Sequence, residues 1–246
     1  MARYSVEMAI DHSLTYTKFR LRNIPHKLRL KHIRETVRSL GIVGVGRYLD
    51  VGSSNGFVTN EVQNILHSKV VWGIDYSTEH VMTAQSRYKD FRFLQADLNG
   101  QVELGLTFDF ITCFETIEHT GRLSNAIDQI YKHLSPGGTL LITVPIEIGW
   151  IGIAKFAMKN FVYRDSFQDI TGTKWNYLRA LLRGDRMSLL RDTSCLSYGE
   201  HYGFDHREIN AHLDKVQIPY ACSRKFSTKL YVIKKPVPPI PLLHGS

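Results

Sequence analysis

A glycine-containing turn between an apolar strand and a helix constrains this chain more than any other feature. Residues 48–57 read YLDVGSSNGF, which predicts a short buried strand, a tight turn and the start of a helix. A second apolar run, VVWGI at 70–74, ends at Asp75, about one strand–helix unit later. A glycine turn after one strand and an acid after the next is how an open α/β sheet holds an adenosine ribose. The spacing is D-x-G-x-x-x-G rather than the dinucleotide G-x-G-x-x-G, so the turn offers little to a pyrophosphate.

Strand and helix patterns continue to alternate after this turn. Strands are predicted at 69–75, 91–95, 108–114 and 139–144, with helices at 56–66, near 78–88 and at about 123–134. Residues 136–138 read PGG and are predicted to turn into the fifth strand. This alternation favours an α/β, Rossmann-like, doubly wound and mainly parallel sheet.

Length and pattern together predict one domain over residues 1–246, with five segments. An N-terminal segment, 1–44, carries a helix pattern that follows Pro25 and ends at Gly41, and its cations are predicted to form the solvated face. The core, 45–145, is followed by a helical lid insertion at 146–200. Residues 201–235 contain a helix at 205–213 and two β-like runs, near 215–222 and 226–234. The proline-rich tail, 236–246, cannot form a regular helix or an inner strand, and it is predicted to be extended and loosely held.

Charge, cysteines and hydropathy limit the class of protein. Three widely spaced cysteines, Cys113, Cys195 and Cys222, predict reduced thiols in a cytoplasmic protein. The N-terminus lacks an apolar signal core, and no run reaches the roughly 18 apolar residues that a spanning helix needs. The net charge of +8 leaves two interpretations open: an anionic partner, such as nucleic acid, acidic glycan or a membrane surface, or a basic enzyme without one.

Four stretches together resemble class I S-adenosylmethionine-dependent methyltransferases, in the broad group that includes the ubiquinone-pathway O-methyltransferases. They are 49–56, 73–76, 94–98, and 108–119 followed by 134–145, and they cover somewhat under half of the chain. The resemblance implies a sheet of about seven strands that a C-terminal antiparallel hairpin completes. It does not indicate the methyl acceptor.

The resemblance also implies which residues contact S-adenosylmethionine. The turn would meet the methionine part of the cofactor, Asp75 would hold the ribose hydroxyls, and Asp97 with the backbone amide of Leu98 would bind the adenine. Asp75 has a second interpretation, as an acid at the start of the next helix. The full set implied for the cofactor is Asp50, Gly52, Ser54, Gly56, Asp75, Tyr76, Asp97, Leu98 and Phe114.

The sequence FETIEH at 114–119 follows the fourth strand, where open α/β sheets bind their ligands. On one turn of helix it would place Glu115, Glu118 and His119 on one face, and two carboxylates with an imidazole can bind a divalent ion such as Mg²⁺. The spacing resembles that of small-RNA 2′-O-methyltransferases, which add a later histidine, and His201 is similar to it. The alternative interpretation has no metal: His119, or His201 after it, is then the general base, or both only shape a pocket.

The predicted lid interleaves aromatic residues with cations, including Trp150, Lys155, Lys159, Tyr163 and Arg164. Three interpretations remain open: packing on the sheet, gripping an acidic or sugar-bearing acceptor, or lying on a membrane surface. Nucleic-acid binding is a weaker alternative, because no RNA-binding module is recognisable.

These patterns lead to one expected activity with named alternatives. We expect O-methylation of a hydroxyl on a small molecule or a carbohydrate, such as a cell-surface glycan or its precursor. Methylation of an isoprenoid quinone precursor or of RNA is the second expectation. A non-catalytic module that keeps the fold and binds a partner is the third, and the intact turn with Asp75 argues against it.

Overall fold

The computed structural model describes residues 24–163, 170–192, 194–198 and 201–239. Its elements in chain order are α1 (Ile24–Ser39), β1 (Arg47–Val51), α2 (Phe57–Leu66), β2 (Val70–Asp75), α3 (Thr78–Arg87), β3 (Arg92–Gln95), β4 (Phe108–Phe114), α4 (Leu123–Lys132), β5 (Leu134–Pro145), α5 (Gly149–Met158), α6 (Lys174–Arg183), α7 (Arg207–Lys215), β6 (Tyr220–Lys225) and β7 (Thr228–Lys234). A 3₁₀ turn covers Ile117–His119, a π-helical turn Lys159–Tyr163, and a second 3₁₀ turn Met187–Leu190.

The seven strands form one mixed sheet with the order β3-β2-β1-β4-β5-β7-β6. This order confirms the predicted Rossmann-like fold with its C-terminal hairpin. The chain divides into two compact units, one comprising the described residues up to Asp97 together with Leu106–Thr112, the other comprising Leu98–Gly105 and the described residues from Cys113. The five predicted segments are defined by their expected roles, whereas the two units are defined by their compactness. The division into five segments therefore remains a prediction.

The first unit is built on parallel strand pairs. β1 pairs with β2 from Arg47 opposite Val70, and β2 pairs with β3 from Trp72 opposite Arg92. β1 and β2 are buried along almost their whole length, as strands covered on both faces must be, so their sequences are continuous apolar runs rather than alternating ones. Helix α1 buries Leu30, Ile33 and Val37, whose spacing of three and four residues places them on one face of the helix.

The second unit contains the antiparallel end of the sheet. β7 pairs with β5 from Lys234 opposite Thr139 and with β6 from Ile233 opposite Tyr220. The predicted turn at 136–138 is wrong, because these residues belong to β5. The amide of Gly137, with φ +76°, donates to the carbonyl of Lys235, and the amide of Lys235 donates to the carbonyl of Gly138. These bonds extend the ladder past the end of β7 and let β5 begin early.

The hairpin strands begin later than predicted, because residues after α7 are used to end that helix. The amide of Ile218 bonds to the carbonyl of Leu213, and Gln217 has a left-handed backbone with φ 55°. A positive φ at a non-glycine residue is typical of a helix end. The chain is therefore free to form β6 only from Tyr220.

The described part of the predicted lid insertion contains helices α5 and α6 and contributes to a local core. The buried side chains of this core are Phe156, Tyr177, Ala180, Leu181 and Met187, together with Tyr202 from the next segment. The rings of Phe156 on α5 and Tyr177 on α6 stack with centroids 6.0 Å apart. Arg164, one of the cations of the predicted lid surface, lies outside the described residues. In the part of the chain that the structure describes, no helix is both long enough and apolar enough to span a bilayer.

Candidate functional site

The glycine turn after β1 is held in a left-handed conformation. Gly52, Ser54 and Gly56 have φ values of 77°, 46° and 78°. The amides of Gly52 and Ser53 both donate to the carbonyl of Ile74, at 2.8 and 3.0 Å. A Cβ on Gly56 would lie 2.8 Å from Cδ2 of Tyr88, so this position needs glycine for space as well as for its backbone angle. The turn is thus fixed to the carboxyl end of β2.

Asp50 supports the turn from inside the core. Its side chain is buried and accepts hydrogen bonds from the hydroxyls of Thr59 at 2.6 Å and Thr112 at 2.7 Å. Burial raises the pKa of Asp50 to about 6, although the two hydroxyls partly offset that effect. The carboxylate of Asp50, a residue implied for the cofactor, is therefore bonded to two threonines inside the core.

Asp75 joins the glycine turn to the start of α3. One carboxylate oxygen accepts the amide of Ser54 at 2.8 Å and the other accepts the amide of Ser77 at 2.9 Å. The oxygen that accepts the amide of Ser54 has a second lone pair, with which it can still accept a ribose hydroxyl. His80 lies 3.5 Å away, and its hydrogen bond with Asp75 raises the pKa of the imidazole. Ser77, whose hydroxyl accepts the amide of His80, is the N-cap residue of α3.

The other residues implied for the cofactor lie at strand ends. Tyr76 follows β2 directly and is half exposed, and Asp97 is an exposed residue just beyond β3. Leu98 is buried, and Phe114 is the last residue of β4. Leu98 and Phe114 belong to the second unit. The glycine turn, Asp75, Tyr76 and Asp97 belong to the first.

A second group of chemically active side chains forms where β4 ends. The ligand atoms of Glu118, His119 and His201 all lie within 4.8 Å of one another, and Glu118 is completely buried. The Nε2 atoms of the two histidines are 3.3 Å apart. All three residues are candidates from the sequence, and the structure brings them together. We call Glu118, His119 and His201 the histidine cluster.

Glu115 does not belong to the histidine cluster, so the predicted helical face that would align it with Glu118 and His119 is wrong. Its backbone is left-handed, with φ 50°, and its amide donates to the carbonyl of Thr143 on β5 at 2.9 Å. The chain therefore turns at Glu115, and only Ile117–His119 form a helical turn.

Both histidines of the cluster have an acceptor at their other ring nitrogen. Nδ1 of His119 lies 2.8 Å from the carbonyl oxygen of Tyr198, and Nδ1 of His201 lies 3.6 Å from Oε1 of Glu147. A carbonyl only accepts, so the proton of neutral His119 is on Nδ1 and its Nε2 carries a lone pair. An anionic Glu147 favours the same tautomer for His201. Two basic nitrogens thus face each other beside a buried carboxylate.

Glu147 follows β5 and is held as an anion. Burial alone would raise its pKa, but the hydrogen bond from His201 and the charges of Lys155 and Lys159 outweigh burial and lower the pKa below its usual value. Nζ of Lys155 is 2.7 Å from Oε1 of Glu147. Glu147 is not among the candidates from the sequence, although its position two residues after the end of the fifth strand is a signal for it.

Arg191 connects the two segments that carry the histidines. Its Nη2 donates to the carbonyl of Glu118 at 2.9 Å and its Nε donates to the carbonyl of Tyr202 at 3.0 Å. The guanidinium is buried and lies 4.1 Å from the ring centroid of Tyr198, and burial lowers its pKa. Nothing in the sequence pattern distinguished this arginine from the other cations of the lid.

Comparison with known proteins identifies the family of the chain. The model of a family described as "Methyltransferase domain" matches residues 21–209. The ubiquinone biosynthesis O-methyltransferases of Saccharomyces cerevisiae and Psychrobacter cryohalolentis are 28% and 27% identical over 42% and 47% of this chain. The malonyl-[acyl-carrier protein] O-methyltransferase of Bacillus anthracis is 27% identical over 39% of it. This chain spans only 35%, 51% and 36% of the lengths of these three relatives.

Solved structures support the fold. An S-adenosylmethionine-dependent methyltransferase from Clostridium acetobutylicum superposes with a TM-score of 0.59 at 15% identity, covering 92% of this chain and 98% of that one. Magnesium protoporphyrin IX methyltransferase from Synechocystis gives 0.58 at 13% identity, covering 91% and 92%. Since the family model covers well over half of the sequence, this chain belongs to the methyltransferase domain family and is a class I S-adenosylmethionine-dependent methyltransferase.

Proposed function

We propose that the enzyme methylates a hydroxyl oxygen and that the histidine cluster activates this hydroxyl. The observation that carries the proposal is the pair of Nε2 atoms 3.3 Å apart, each on a ring whose Nδ1 has its own acceptor. A neutral amine or a thiolate is already a good nucleophile, whereas a hydroxyl becomes one only when its proton is removed. Two basic nitrogens with a buried carboxylate suit that second task.

The reaction is an in-line displacement. The acceptor oxygen forms a bond to the methyl carbon as the carbon–sulfur bond breaks, and S-adenosylhomocysteine leaves. The hydroxyl proton passes to Nε2 of His119, with His201 as the second candidate base. Alignment of the two reactants can supply roughly 7–11 kcal/mol of the barrier, and a general base typically adds about 10²–10⁴-fold. In the first unit, the turn at Gly52–Gly56 and Asp75 would hold the cofactor, and the exposed carboxylate of Asp97 would accept from the adenine amino group.

The same cluster suits a divalent ion. Ligand nitrogens at about 2.0–2.1 Å from a tetrahedral metal lie about 3.3–3.4 Å apart, which agrees with the separation of the two Nε2 atoms. Carbonyl and carboxylate partners on Nδ1 are the usual outer contacts of histidine ligands. Glu118, His119 and His201 would hold the ion. A ligand set with two imidazoles suits Mn²⁺ or Zn²⁺ better than Mg²⁺, which prefers oxygen ligands. When bound, the ion would lower the pKa of an acceptor hydroxyl.

The acceptor proposed first is a small molecule or carbohydrate with neighbouring hydroxyls, such as a glycan or its precursor. A quinone precursor is the second candidate, because two of the relatives that match 42% and 47% of the chain are named as O-methyltransferases of ubiquinone biosynthesis. RNA remains a weaker alternative, since only the short E-x-x-E-H spacing supports it. A non-catalytic role is disfavoured by the intact glycine turn and Asp75.

An acceptor screen tests the proposal. The purified chain is incubated with S-adenosylmethionine and with sugar nucleotides, lipid-linked sugars, catechols or short RNAs, and methylated product is detected by mass spectrometry. With the acceptor that works, His119→Asn should lower kcat by about 10²–10⁴-fold, because Asn can replace Nδ1 but not Nε2. His67→Asn is the matched control, since His67 is exposed and its φ of 51° suits Asn. Methylation of nitrogen or sulfur, or full activity in His119→Asn, would contradict the proposal.

A further inference from the structure

Helix α5 and the π-helical turn that follows it expose apolar residues along one side. Trp150, Ala154, Met158 and Phe161 are all exposed, and their spacing of four, four and three residues places them on one helical face. Trp150 is 86% exposed and Phe161 is 74% exposed. We call these four residues the apolar stripe.

The opposite side of α5 already has its packing partners. Gly152 lies so close to the carbonyl of Glu147 and to Leu181 that a Cβ there would be 2.3 Å from that oxygen. Phe156 stacks on Tyr177. Of the ten residues of α5, Lys155 is the one charged residue, and its amine bonds to Glu147. Such an apolar helix is normally buried on all sides, so the stripe is the side for which the protein itself supplies no cover in the described residues.

The neighbouring helix exposes cations. Helix α6, which packs on α5 through its buried face, exposes Trp175, Arg179, Leu182 and Arg183, and Arg186 follows it. In the described residues from 148 to 190 there are six lysines and arginines, and Asp185 is the one acid. An anionic surface is the partner whose charge complements this segment.

We propose that the apolar stripe docks on a bilayer with anionic headgroups, with Trp150 and Phe161 entering the interface and the arginines of α6 contacting phosphates. A helix with aromatic and aliphatic residues on one side and cations nearby is suited to lie in the plane of a membrane surface. A second copy of the chain would bring the same arginines face to face across a two-fold axis, which is unfavourable. Nucleic acid would use stacking aromatics, but Ala154 and Met158 offer no ring.

Vesicle sedimentation of the full chain tests this inference without any methyl transfer, so its outcome is separate from that of the proposed function. Vesicles of phosphatidylcholine with phosphatidylglycerol should retain the protein, vesicles of phosphatidylcholine alone should retain less, and high salt should weaken binding. Met158→Asp should weaken the partition coefficient about tenfold or more, because a charge would enter the interface. Met82→Asp is the matched control, since Met82 is also an exposed methionine on a helix, α3 of the first unit.

Three outcomes would overturn the inference. The first is the absence of retention by the anionic vesicles. The second is equal retention of wild type and Met158→Asp. The third is a dimer in analytical ultracentrifugation that Met158→Asp dissociates while vesicles bind neither form, because the stripe would then cover a second copy. The double variant Arg179→Glu and Arg183→Glu provides an independent check. It should abolish the preference for phosphatidylglycerol and leave the buried face of α6 intact, because both arginines are exposed.

Discussion

Nε2 of His119 lies 3.3 Å from Nε2 of His201, although the two residues are 82 positions apart in the chain. Their rings meet edge to face, with centroids 4.8 Å apart. If both were neutral with Nδ1 protonated, two lone pairs would face each other. A proton or a cation between the two Nε2 atoms would remove that repulsion, so this geometry favours binding of a positive charge. This property links the geometry of the second unit to acid–base or metal chemistry.

Replacement of Asp75 by Ala should weaken S-adenosylmethionine binding. A charge-assisted contact with the ribose hydroxyls is worth roughly 1.5–3 kcal/mol, so the affinity should fall about ten- to a hundredfold. Calorimetric titration with the cofactor measures this. Asp90→Ala serves as the control, because Asp90 is exposed in the loop before β3. Equal affinities of the Asp75 variant and wild type would remove the ribose assignment.

Replacement of Gly56 by Ala should destabilise the protein more than replacement of Gly105. Both glycines have a positive φ, 78° and 71°, so each variant loses about 1–2 kcal/mol through its backbone. Only at Gly56 would the new Cβ also meet Tyr88 and Phe93, at 2.8 and 2.9 Å, whereas nothing lies within 4 Å at Gly105. The free energies of unfolding in urea should therefore differ, and equal values would show that the ring of Tyr88 moves away at no cost.

Asp50 should make the stability of the protein depend on pH. Its pKa is raised from 3.8 to about 6 in the folded state, so the folded state holds this proton more tightly than the unfolded state. Its contribution is complete below about pH 4 and is lost as the pH rises through about 6, a change of at most ~3 kcal/mol. The contribution of Asp50 is isolated by measuring the free energy of unfolding in urea for the wild type and for Asp50→Asn from pH 4 to pH 7. The wild type should lose stability relative to the variant across this range, and parallel curves would contradict the shift.

Several parts of this structure follow from local sequence patterns and others do not. β4 occupies the predicted residues 108–114, because this mainly apolar and buried segment is bounded by Thr107 and Glu115. Glu118 and His119 are recognisable because they follow that strand. Glu147 and Arg191 have roles that depend on contacts with His201, Glu118 and Tyr202 far along the chain, and single-sequence patterns contain no such information. The early start of β5 depends on Lys235 in the same way.

Replacement of Arg191 by Lys should slow methyl transfer without changing the cofactor affinity. The fork of Arg191 donates to carbonyls on both histidine-bearing segments, and a single ammonium cannot reproduce that geometry. The spacing of His119 and His201 should then loosen, and kcat should fall by about tenfold or more. Arg186→Lys is the control, since Arg186 is exposed. A loss of S-adenosylmethionine affinity equal to the loss in kcat would indicate general unfolding instead of a positioning role.

A bound ion and a metal-free histidine base predict different responses to chelation. If Glu118, His119 and His201 hold a divalent ion, EDTA should abolish activity and added Mn²⁺, Zn²⁺ or Mg²⁺ should restore it. Glu118→Gln should then bind the ion more weakly, because it loses the anionic ligand, and Glu115→Gln should not, because Glu115 lies outside the histidine cluster. Elemental analysis of the wild type and both variants measures metal content directly. Full activity in excess EDTA, with no metal in the protein, would leave His119 as the base and assign the buried carboxylate of Glu118 to stabilising the imidazolium that forms.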